Sequence, residues 1–328
     1  MNRRSAFYIL VIAIVALLPF RSPAPLVYVP GEGWTYEPVG AEGRWKRSRA
    51  KDQLDVAEQA FDAKDYSLAL KASRHLVRNW PLSDYAPEGQ YLVGRCYEAK
   101  HKDEKAFKEY QVALHKYPRN DKLEDVQLRQ FEIANRFLGG QWFKLWNTIP
   151  LYPSMSRTAG LFEQIVESGP YSAVGPQAQL HVGEAREKGK DYTGAVKAYE
   201  RAADRYSDRP EIAAEAIYRA GMAWNKQAKT AEYDQGAAGQ AIATLTDFMV
   251  IYPDDKRMPD VEKTVGSLRA EQARGSFEIA RFYEKRKKWN GALIYYNEVL
   301  LRDPDSPLAP EARTRIEAIK KRIEDASQ

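Results

Sequence analysis

"GRCYEAKHKDEKAFKEYQVALHKYP", residues Gly94 to Pro118, places small, large, small, large, small and proline at fixed intervals. The positions are Gly94, Tyr97, Ala106, Tyr110, Ala113 and Pro118, at successive offsets of 3, 9, 4, 3 and 5. Offsets of 3 and 4 keep side chains on one helical face, and the gap of 9 leaves room for a turn between two helices. The same offsets recur at Ala280, Tyr283, Ala292, Tyr296, Val299 and Pro304. They recur again at Gly183, Arg186, Ala195, Tyr199, Ala202 and Ser207, and at Ala57, Ala60, Ala69, Ser73, Leu76 and Pro81. A pattern met four times is a repeat.

Its residue types follow from packing. Small side chains at Gly94 and Ala106 let the helices of a pair approach closely, and Tyr97 and Tyr110 fill the space on either side. Pro118 ends the second helix, because it has no N–H and clashes with the preceding turn. The pattern resembles the tetratricopeptide repeat (TPR), a helix pair of about 34 residues. One pair cannot bury its apolar face alone, so the expected fold is all-α, a right-handed superhelical solenoid of about six TPR-like helix pairs.

Two pairs depart from the pattern. In one, Gly221 and Trp224 are followed by Ala241, with a gap of 17 where 9 is usual, and the extra eight residues are expected to lengthen each helix by about one turn. In the other, a helix carrying Ala134 and Phe137 is separated from "TAGLFEQIVESGP" by an insertion at 139–157. The expected pairs are 50–84, 87–120, 125–172, 176–210, 213–257 and 273–306, closed by a polar helix at 308–325.

The N-terminus reads differently. Arg3 and Arg4 precede the apolar run "AFYILVIAIVALL", closed by Pro19 and Arg21, so residues 1–24 are an export signal or an N-terminal membrane anchor. Pro25 after a possible cut disfavours cleavage, and the shortness of the run disfavours a permanent span, so both fates stay open. Residues 25–50 form a linker without periodicity, and residues 51–328 the solenoid. The body is expected in the periplasm, associated with a membrane through the N-terminus or a partner.

Charge excludes a nucleic-acid role. Residues 1–51 hold eight basic and three acidic side chains, and the other 277 residues are balanced at 42 of each. The sequence pI near 9.0 therefore belongs to the N-terminal segment, and the body has no net attraction for phosphate backbones.

No catalytic constellation stands out. His75, His101, His115 and His181 fall at different repeat positions, and none has a partner at metal-ligand spacing. Neither GxSxG, a Walker sequence nor HExxH occurs. The expectation is a non-enzymatic protein without metal or cofactor. Cys96, the only cysteine, lies in a helical pattern far from the N-terminus, where it reads as a small buried side chain and not as a lipid acceptor.

The insertion is the local exception. Trp142, Phe143, Leu145, Trp146, Ile149, Leu151 and Tyr152 crowd into eleven residues, and Trp142, Phe143 and Trp146 are candidate partner contacts. The alternative is that the insertion folds back on its own solenoid.

The last quarter, "GSLRAEQARGSFEIARFYEKRKKWNGALIYYNEVLLRDPDSPLAPEARTRI", is more specific than the repeat and resembles BamD, the outer-membrane assembly factor family. "AIATLTDFMVIYPDD" and "AEQAFDAKDYSLALKASRHLVRNWPLSDYAPEGQYLVGRCY" fit the same family. The resemblance implies a periplasmic scaffold. Its N-terminal pairs would receive unfolded outer-membrane proteins, and its C-terminal pairs would dock a barrel insertase of the BamA type. It places the docking helix at 261–281, with Arg269, Glu271 and Arg274 as candidates. The chain departs from the family in a sixth pair and in lacking the lipid-bearing cysteine. The rival readings are a periplasmic TPR adaptor for envelope or division machinery and, third, a small-ligand carrier or enzyme.

Overall fold

A computed structural model describes residues 26–29, 33–36, 45–145, 149–230 and 235–327. The helices form two compact units, one ending at Val126 and the other beginning at Gln127. The first holds α1 (Ala50–Asp62), α2 (Tyr66–Asn79), α3 (Ala86–Ala99), α4 (Asp103–Lys116) and the start of α5 (Leu123–Leu138). The second holds the rest of α5, then α6 (Met155–Ser168), α7 (Gly175–Lys188), α8 (Tyr192–Arg205), α9 (Pro210–Thr230) and α10 (Gln235–Ile251). It ends with α11 (Met258–Lys285), α12 (Trp289–Arg302) and α13 (Ala309–Ser327). The fold is all-α, and the expected pairs correspond to α1–α2, α3–α4, α5–α6, α7–α8, α9–α10 and α11–α12, with α13 closing.

The repeat offsets are packing contacts. A Cβ built on Gly94 would lie 2.3 Å from the Tyr110 ring, and one on Gly183 would lie 2.3 Å from the Tyr199 ring. At Gly221 the facing side chain is Leu245, at 2.5 Å. Tyr110, Tyr199 and Tyr296 are fully buried, as are Ala106, Ala195, Ala280 and Ala292. Tyr97 is buried too, whereas Trp224 and Tyr283 pack partly buried against their clusters. Pro118 and Pro304 stand just past the ends of α4 and α12.

Polar groups repeat with the same period. The hydroxyls of Tyr110, Tyr199 and Tyr296 donate to Glu98 (2.8 Å), Glu187 (3.0 Å) and Glu284 (2.6 Å), each twelve residues earlier. The side-chain amides of Gln53, Gln90 and Gln179 donate to the carbonyls of Ala72, Glu109 and Ala198, each nineteen residues later. Tyr117 and Tyr206 donate to the carbonyls of Pro81 and Pro170, thirty-six residues back. These bonds latch the two helices of a pair and tie one pair to the preceding one.

The turns inside pairs also repeat. Lys64, His101, Lys190 and Lys287 take positive φ of 60°, 53°, 62° and 56°. In each turn the next residue's N–H reaches back five residues, as from Asp65 to the Ala60 carbonyl, and this closes the first helix. Asp65 and Asp191 then cap α2 and α8 by accepting from Leu68 N and Gly194 N.

The stretched pair absorbs its extra residues in both helices: α9 has 21 residues and α10 has 17, where most others have 14. The sixth pair begins earlier than 273, because α11 runs unbroken for 28 residues from Met258. Two strand pairs depart from the all-helical expectation. In the 25–50 segment read as a linker without periodicity, β1 (Leu26–Val29) pairs antiparallel with β2 (Gly33–Tyr36). Both strands are β-branched and aromatic, and they flank a Pro-Gly-containing stretch. In the insertion, β3 (Phe143–Leu145) pairs with β4 (Ile149–Tyr152) with a register shift at Phe143/Lys144. The apolar run 6–18 lies outside the described residues. Among those described, no helix is long and apolar enough to cross a membrane.

Candidate protein-docking surfaces

Helix α11 is amphipathic along its whole length. Val261, Val265, Leu268, Gln272, Ala273, Ser276, Phe277 and Ala280 are buried, and this row recurs every three or four residues. Arg269 and Arg274 lie off that row and are exposed. The structure brings two of the three candidate charges together: Arg274 donates to Glu271. Arg269, five positions before Arg274, is rotated about 140° from it at about 100° per residue. The three do not form one cluster. Glu271 instead lines a cleft of about 450 Å³ with Asn225, Lys229, Lys263, Ser267 and Leu268. Asn225 is only 6% exposed, and its Oδ1 has no partner among the described residues.

The insertion divides its aromatic side chains. Phe143 is 2% exposed and stacks on Phe137 with centroids 4.2 Å apart, and the Arg157 guanidinium sits 4.0 Å above its ring. The Phe143 ring is thus committed to its own unit. Trp142, next to it, is 51% exposed and available to a partner. Trp146 lies outside the described residues. The register shift at Phe143/Lys144 coincides with this change from outward to inward ring.

In the first unit a third surface joins α1, α3 and the start of α5. Arg95 lies 5.2 Å from the Phe61 ring and 5.6 Å from the Tyr91 ring, and it donates to the Tyr91 hydroxyl at 2.8 Å. That hydroxyl donates to Asp125, and Lys122 is 5.8 Å from the same ring. Burial, followed by Asp55 and Asp62, raises the Glu58 pKa, and burial also raises that of Glu88. This network was not singled out from sequence, although a signal exists. The repeat position of Tyr91 is Leu54, Leu180 and Phe277 in the other regular pairs, so a hydroxyl stands in an otherwise apolar column.

The histidines are dispersed. His75 packs edge-on to Trp45 and Trp80, His181 lies against Phe131 and Phe162, and His101 holds a turn. Among the described residues no three His, Cys, Asp or Glu side chains are grouped to hold a metal. Cys96 is completely buried in α3, which pushes its thiol up to about 12 and closes it to surface chemistry.

Known proteins resemble this chain in sequence and in helical repeat. The outer membrane protein assembly factor BamD of Caulobacter vibrioides is 26% identical over 155 residues, 47% of this chain and 50% of the relative. The match therefore spans half of that relative's length. The C-terminal part of a TPR repeat-containing protein from Cytophaga hutchinsonii superposes with TM-score 0.36 at 15% identity, covering 82% of this chain and 90% of that one. YrrB, described as a TPR protein with an unusual peptide-binding site, gives 0.34 at 14% identity, covering 66% and 92%. A family profile described as outer membrane lipoprotein, YfiO, matches residues 154–325, from the start of α6 into α13. With more than half of its length inside that profile, the chain belongs to the YfiO outer membrane lipoprotein family.

Proposed function

We propose that this protein is a non-catalytic scaffold of the cell envelope that supports assembly of outer-membrane β-barrel proteins through protein–protein contacts. The observation that carries this reading is α11, a continuous 28-residue helix inside the family-matched region that buries one row and leaves Arg269 and Arg274 outside. In this reading the exposed charges of α11 meet a periplasmic domain of a barrel insertase. The Arg95–Tyr91 network of the first unit receives segments of unfolded barrel chains. The protein works on the periplasmic side of the outer membrane.

Purification of the tagged chain from envelope membranes tests it. Recovery of an insertase with repeated periplasmic domains is expected. Reversal of Arg269 and Arg274 to Glu should weaken that recovery about tenfold and reduce its salt dependence, because steering by exposed charges is screened beyond about 10 Å at 0.1 M salt. Unchanged recovery from the double variant, or recovery of peptidoglycan or division machinery in place of an insertase, would overturn the reading.

A further inference from the structure

The far end of α11, the first turn of α12 and α13 enclose a second cleft of about 670 Å³. Five cations line it, Arg281, Lys285, Lys287, Arg315 and Arg322, against two acids, Glu278 and Glu284. Both acids are already engaged: Glu278 pairs with Arg281 at 3.8 Å, and Glu284 pairs with Arg315 at 3.3 Å while accepting from Tyr296 at 2.6 Å. Lys285 and Lys287 have no acidic partner among the described residues and are exposed. The solenoid as a whole is charge-balanced, so this local excess of three positive charges is set by placement and not by composition.

The cleft also carries aromatic surface. Phe282 is 50% exposed with the Arg286 guanidinium 3.9 Å above its ring, and Arg322 lies 5.5 Å from the Trp289 ring. A cation stacked on a half-exposed ring keeps its donors directed outward while the ring offers an apolar contact. Phe282 is backed edge-on by Tyr283, with centroids 5.8 Å apart, and Tyr283 stacks in turn on Tyr295 at 5.6 Å.

We propose that this cleft is a docking site for an acidic peptide segment of a partner protein, with carboxylates meeting Lys285, Lys287 and Arg322 and an apolar side chain resting on Phe282. Charge complementarity decides the occupant. The concavity favours a chain segment over a lipid surface, because the cations converge from two helices, α11 and α13, and from the turn that follows α11 around a recess. The inference does not depend on which machine the protein serves, nor on the exposed charges Arg269 and Arg274.

The test is fluorescence anisotropy of a labelled peptide of repeating Asp-Glu-Leu with the full chain. Binding is expected to weaken about tenfold in the Lys285→Glu, Lys287→Glu, Arg322→Glu variant, and severalfold in Phe282→Ala. Those four side chains are exposed, so an unchanged circular dichroism spectrum is expected alongside. The Arg269→Glu, Arg274→Glu variant should bind the peptide as the parent does, so a failed insertase recovery and a failed peptide interaction remain separable. Equal binding of a Lys-Arg-Leu peptide, or undiminished binding by the triple variant, would overturn the proposal. So would association with phosphatidylglycerol vesicles that the acidic peptide does not displace, or self-association of the chain abolished by the triple variant.

Discussion

Replacing Gly94 by Ala sets two effects of known sign against each other. Within a helix, Ala is favoured over Gly by about 1 kcal/mol, so propensity alone predicts stabilisation. The new methyl would however sit 2.3, 2.5 and 2.9 Å from three atoms of the Tyr110 ring. An ordinary contact begins near 3.4 Å, so the ring or the helix must retreat by 3.4 − 2.3 = 1.1 Å. Tyr110 is fully buried and held by Glu98, so it has little freedom to move. Overpacking of this kind costs roughly 2–3 kcal/mol, which leaves a net loss of about 1–2 kcal/mol. The upper bound is modest because the last pair manages the same neighbours, Ala280 against Tyr296, with a methyl in place. Gly266 in α11 has nothing within 4 Å of its missing Cβ, so the identical change there should stabilise by about 1 kcal/mol. Urea unfolding followed by circular dichroism measures both variants. A Gly94→Ala protein at least as stable as the parent would refute the close-approach argument, and so would equal effects at the two sites.

Phe143→Ala should cost about 3 kcal/mol, because it removes a buried ring stacked on Phe137, while Trp142→Ala should stay within about 0.5 kcal/mol and act only on partner binding. Thermal unfolding beside a pulldown separates the two. His181, then Lys188, hold the Glu184 carboxyl well below the usual carboxylate range, and Arg219 adds an ion pair at 3.3 Å. A depressed carboxylate stabilises above its unfolded value of 4.5 and loses that contribution as pH falls toward the folded value. Glu184→Gln is therefore expected to cost about 1–2 kcal/mol at pH 7, with the difference from the parent shrinking between pH 4.5 and 2 in denaturant titrations.

What could be read in the sequence was what repeats. Gly94 with Tyr110 and Gly183 with Tyr199 betray close helix contacts, because a glycine facing a tyrosine at a fixed offset of sixteen has a steric meaning wherever it recurs. The Tyr–Glu and Gln–carbonyl bonds are equally periodic, but a pattern of side-chain size does not carry them, because they repeat in polarity. What happens once in the chain was harder to read. Neighbouring rings at Trp142 and Phe143 have the same composition signal, and only the bulge and the position of Phe137 decide which turns inward. The Arg269, Glu271 and Arg274 candidates share a helix but not a face, a distinction that residue type does not carry and helical phase does.

The side-chain bonds also bear on how the chain is made. Latches span twelve or nineteen residues and ties thirty-six, and a bond from Lys188 to the Leu138 carbonyl spans fifty. A polypeptide leaving a ribosome or translocon N-terminus first can therefore complete each helix pair's polar bonds before the next has fully emerged. Folding can proceed vectorially, and little apolar surface need wait uncovered for distant sequence to arrive.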